Sequence, residues 1–112
     1  MNTLKTLLIV LVLNFGFSIQ ANAGFLTGNK YRQAPEEIKT GYIMGTVDSI
    51  GALSGWGDLT TPHILNINTC TKGMPADQIV AIVDKYLESN PEKWHFDMTS
   101  LTLNAIIQAC EK

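Results

Sequence analysis

Charge is scarce in this 112-residue chain, and positive charge scarcest: eight Lys and Arg stand against ten Asp and Glu, together 16% of the residues. The cations do not cluster, so the basic stripe needed to bind nucleic acid or an anionic membrane surface is missing. No glycine loop followed by Lys and Ser or Thr cradles a phosphate, and no Gly-x-Ser-x-Gly turn presents a nucleophile. His63 and His95 have no histidine partner at helical spacing, so each reads as a turn histidine bonded to backbone rather than a metal ligand. Asp84 and Glu88, with Lys85 between them, read as a solvated helix face before an acid/base pair. Enzyme is therefore the weaker class, and no cofactor or metal is implied.

Long apolar runs are missing as well, with one exception at the start. Lys5, an apolar run from Leu7 to Phe17 and a terminal Ala21-Asn22-Ala23 form a secretory signal with an Ala-x-Ala cleavage site. Asn14 and Gly16 interrupt the run, which falls short of the roughly 20 residues a spanning helix needs. Residues 1–23 are thus expected to be cleaved and residues 24–112 to form one domain, located in the periplasm, with no stable membrane insertion; a retained anchor is the alternative. Lys5 leaves with the signal, so seven basic side chains face ten acidic ones in the mature chain, a net charge of −3.

What is present is helical periodicity, bracketed by the only two cysteines. Ile79, Ile82, Val83, Tyr86 and Leu87 recur at i, i+3, i+4, i+7 and i+8, one apolar face of an α-helix. From Met98 to Ala109 apolar residues occupy most of the circumference, which predicts a helix buried on most sides. Between the two lies Ser89 to His95, a breaker-rich link short enough to force antiparallel neighbours. Cys70 and Cys110 then meet at the far end of this hairpin, and in an exported domain they form a structural disulfide. Loop-entropy models give such a closure about 4 kcal/mol. A pair of reactive thiols would need a neighbouring cation or a Cys-x-x-Cys spacing, and neither is visible.

Upstream, Thr27 is a helix-start residue for a short helix to about Gln33, and Pro35-Glu36-Glu37 opens a longer one to about Leu53. Gly41, Gly45, Ser49 and Ala52 form a ridge without bulky side chains on that helix. Two exposed helix glycines cost about 1 kcal/mol each, so close approach of another helix is expected to offset them. From Ser54 to Thr69 periodicity stops, and the stretch reads as an irregular loop holding Trp56, Asp58 and His63. It is either a partner-binding loop or a connector anchored by Trp56. Pro75 and Asp77 open the first hairpin helix, Asp97 caps the second, and Trp94 and Phe96 are expected to close the end of the core. The fold class is all-α, a small bundle of about four helices with a disulfide-clipped C-terminal hairpin.

These residues carry a resemblance. Phe25-Leu26-Thr27-Gly28-Asn29, then Gly41, Tyr42, Ile43, Gly45 and Asp48, then Cys70, Gly73 and Gln78, and finally Lys85-Tyr86-Leu87, Asn90-Pro91-Glu92, His95, Leu101 and Cys110 resemble the Rap/Tai family of immunity proteins associated with type VI secretion. Gln33 and Lys39 stand where members often carry a second cysteine pair. The resemblance implies an all-helical periplasmic protein, often a homodimer, that binds an incoming peptidoglycan amidase and blocks its active-site cleft. The competing class is a small periplasmic chaperone or stress-response protein, which would expose apolar surface on acidification.

Overall fold

The computed structural model describes residues 2–3, 25–53 and 62–111, with the side chains of 63–65 outside that description. Past the signal region, the described residues form five α-helices: α1 (Gly28–Gln33), α2 (Glu36–Leu53), α3 (Pro62–Thr71), α4 (Ala76–Ser89) and α5 (Met98–Cys110). No strand occurs among them; one isolated bridge pairs Thr27 with Asp97.

Local chemistry sets the boundaries. The Thr27 hydroxyl accepts from the Lys30 amide at 3.4 Å and starts α1. Pro35 forces Ala34 into extended geometry and ends it. The Pro35 carbonyl then accepts the Ile38 and Lys39 amides, so the residue that stops one helix opens the next. Gly73, at φ 85°, supplies the left-handed turn between α3 and α4. Asp97 caps α5 by accepting the Ser100 amide at 2.8 Å, and that bond holds its carboxyl below the ordinary carboxylate range.

The hairpin of α4 and α5 is the frame. Ile79, Val83 and Leu87 face Leu101, Ala105 and Ile106, and all six are buried. Ile82 sits on the flank, half-buried, while Val80 turns inward. α5 touches all four other helices and so lies at the centre, although Asn104, Gln108 and Ala109 keep an outer strip open to solvent. Tyr31 from α1, Ile43 and Ile50 from α2 and Ile67 from α3 complete the core.

A Cys70–Cys110 disulfide is formed, with the α-carbons 5.9 Å apart. Cys70 lies in the last turn of α3, so the bond ties the ends of α3 and α5 together. Helix α3 is also the main correction to the sequence reading, because it occupies residues expected to be irregular. Its apolar residues are too few and too closely spaced to mark a helical stripe, and packing against α2 and α5 stabilises what pattern alone did not signal. The glycine ridge is the second correction. A Cβ built at Gly41 or Gly45 meets nothing within 4 Å among the described residues, so none of the five helices packs closely there.

Candidate partner-binding surface

Of the residues expected to form a binding loop, Trp56 and Asp58 lie outside the described residues, and His63 falls in the first turn of α3 rather than in a loop. The described structure draws the eye to a different place, the tip of the α4–α5 hairpin.

The tip is built in layers. Helix α4 ends at Asn90, whose side chain donates back to the Tyr86 carbonyl at 2.7 Å. Pro91 then opens a single 3-10 turn, Pro91–Lys93, because its fixed φ suits a first helical position. The Trp94 indole N–H donates to the Leu87 carbonyl at 2.7 Å, folding the turn against the end of α4. On the other side the Arg32 guanidinium stacks on the Trp94 ring, 3.3 Å from its centroid. Beyond this anchored indole, His95 and Phe96 form a tilted ring pair with centroids 4.2 Å apart. Phe96 is half exposed, contrary to the expectation that it closes the core, and Phe25 beside the bridge is 85% exposed. Trp94 alone of the pair packs on the core, its indole N–H sharing the Leu87 carbonyl at the end of α4 with the Asn90 amide.

A second surface runs along the outward face of α2. Ile38, Gly41, Gly45, Ser49, Ala52 and Leu53 follow one another there, all exposed and uncharged. Ser49 and Thr46 turn their hydroxyls back onto the Gly45 and Tyr42 carbonyls, at 2.8 and 2.9 Å, which makes the face less polar than its sequence. Beside it, Tyr42 and Thr99 share a hydroxyl hydrogen bond of 2.9 Å at the wall of a shallow hollow of about 440 Å³.

Neither surface holds a reactive arrangement. Among the described residues no three His, Cys, Asp or Glu side chains converge on a point that could hold a metal ion. Among the described residues Tyr31 is the one strongly perturbed acid: burial first, and then the nearby Asp84 carboxylate, raise its pKa well above the ordinary tyrosine value. No partner reaches its hydroxyl at full hydrogen-bonding distance. It sits sealed in the core, out of reach of any substrate.

A disulfide-clipped helical scaffold with a braced aromatic tip and a bare apolar helix face defines a protein whose outward features suit recognition of another protein. The chain belongs to the Rap1a immunity protein family, whose model matches residues 24–110. No curated protein and no solved structure matches it. Immunity proteins of this family act against secreted effectors and are generally without catalysis. The residues that carry the tip were all visible in the sequence, but the contact of Arg32 with Trp94 joins positions 62 apart, and no local pattern announces it.

Proposed function

We propose that this protein is exported to the periplasm, loses residues 1–23, and there binds and occludes a peptidoglycan amidase delivered by type VI secretion, protecting the producing cell. The observation that carries the reading is the hairpin tip. It sits at the end of the hairpin opposite the disulfide and exposes Phe96 and His95 beside the Arg32–Trp94 stack, and Trp and Arg are among the residue types that carry most binding energy at protein interfaces. Occlusion of a cleft needs a rigid projection and no catalytic group. A homodimer is part of the reading, because the bare face of α2 retains two helix glycines whose cost nothing among the described residues offsets.

The test is co-purification with a secreted amidase encoded beside this chain, followed by inhibition of peptidoglycan hydrolysis in vitro. Phe96→Ala is expected to weaken inhibition at least tenfold, as loss of a central aromatic anchor does. If Phe96→Ala inhibits as well as the parent while a Trp56→Ala/Asp58→Ala double variant does not, the contact belongs to residues 54–61 instead. Absence of any inhibition by the parent protein removes the amidase from the reading.

A further inference from the structure

The tip does not hold itself. Within residues 90–97 its own backbone supplies Lys93 to Asn90, Trp94 to Pro91 and Phe96 to Lys93, which leaves the Trp94 and Phe96 carbonyls without a partner inside the turn. Both are taken by the start of α1. The Asn29 amide donates to the Trp94 carbonyl at 2.8 Å and the Gly28 amide to the Phe96 carbonyl at 3.1 Å, while the Met98 amide donates to the Leu26 carbonyl at 2.6 Å. Gly28 and Asn29 are the first residues of α1, whose amides have no acceptor within their own helix. Orphan donors and orphan acceptors therefore satisfy each other across this joint.

Gly28 makes the joint possible. A Cβ there would lie 2.9 Å from Leu101 Cδ1, 3.0 Å from the Trp94 carbonyl oxygen and 3.1 Å from Trp94 Cα. The last two are backbone atoms and cannot swing aside. One helical turn further on, Arg32 lies on the same face and covers the Trp94 ring. Trp94 is thus pinned at its carbonyl, its indole N–H and its ring face, and the exposed His95 and Phe96 inherit their direction from it.

Resting on the reading of the tip as the docking element, we propose that Leu26 to Arg32 is a clamp that presets the tip before the partner arrives, with Gly28 and Arg32 as positioning residues. A loop that must be ordered on binding costs about 1–2 kcal/mol per residue, and a preset one does not. The clamp therefore acts on partner affinity from residues that need not touch the partner.

The test uses the full oxidised protein. Native-state amide exchange is followed at Gly28, Asn29 and Met98, with Val83 in the core of α4 as the internal standard. Arg32→Ala is expected to speed exchange at the three joint amides about two- to fivefold, the range of a partly exposed cation–π contact, and to leave Val83 unchanged. Gly28→Ala is expected to exceed that effect. Equal exchange at the joint in the parent and in Arg32→Ala overturns the clamp. A second arm measures association with an amidase that the parent protein inhibits. Slower association of Arg32→Ala with unchanged salt dependence supports positioning, whereas a lost salt dependence makes Arg32 a direct charge contact and overturns its role here. If the parent binds no amidase, the docking reading fails, and amide exchange still decides the clamp.

Discussion

The joint at Gly28 and the outward face of α2 both rest on glycine, and they use it in opposite ways. At Gly28 the missing side chain admits the Trp94 backbone, and any Cβ collides. At Gly41 and Gly45 the missing side chain admits nothing among the described residues. Spacing alone singled out the second pair, because small residues four apart on a helix suggest a packing groove. Gly28 is singled out in the sequence only as part of the Phe25–Asn29 stretch that carries the family resemblance, with no structural reason attached. A glycine's purpose is set by what approaches it from elsewhere in the chain, and that information is non-local.

The harshest test of the comparison leaves both glycine regions intact. Separating Cys70 from Cys110, by reduction or by Cys70→Ala/Cys110→Ala, is expected to lower unfolding free energy by about 4 kcal/mol, read from the urea midpoint. The bond lies at the other end of α5 from the tip. The joint amides of Gly28 and Asn29 should therefore keep their protection relative to Val83 in the native state. Collapse of that protection on reduction would mean that the clamp depends on the disulfide and is no independent region.

Next in size, Gly28→Ala is expected to cost about 1–3 kcal/mol, the range for forcing atoms into a packed site. Gly45→Ala is expected to do the reverse and stabilise the isolated chain by about 1 kcal/mol, since alanine is the better helix former and the space is open. Both are read by urea denaturation, at low protein concentration and again at high. If Gly45→Ala stabilises at low concentration and destabilises at high, a second copy packs on α2, and the face resembles Gly28 after all. Asp97→Ala, which removes the cap of α5 beside the joint, is expected to cost about 1 kcal/mol, with Asp97→Asn recovering most of it.

Much of this fold was legible because periodicity and capping are local. Ile79 to Leu87 marked α4, Asp97 and Thr27 marked two helix starts, and an antiparallel hairpin implied the Cys70–Cys110 bond, which the structure contains. Helix α3 was hidden because Ile64, Leu65 and Ile67 sit among Asn and Thr, residues that favour turns unless packing overrides them. Phe96 was misplaced for a related reason: an aromatic residue beside a buried one carries no sign of which points outward. The hairpin tip was read as a turn, and nothing in its residues indicated that a segment some 65 positions earlier braces it.

The smallest expected effect at neutral pH concerns Tyr31, which packs behind the joint with its hydroxyl unpartnered. Tyr31→Phe removes a buried polar atom without opening a cavity, so at pH 7 stability should be unchanged or slightly higher. The pH dependence is more telling. Burial and the Asp84 charge raise the folded-state pKa above the ordinary tyrosine value of about 10. The unfolded chain then releases this proton before the folded one does. The group's contribution is complete below pH 10 and is lost as pH climbs from there toward the folded value, because deprotonation pulls the unfolded state down in free energy. Parent and Tyr31→Phe should therefore run parallel below pH 9 and separate above pH 10, with the parent falling faster. Parallel curves to pH 11.5 would mean that Tyr31 ionises in place, and hence that the space behind the tip opens to water, which a rigid joint at Gly28 and Arg32 does not allow.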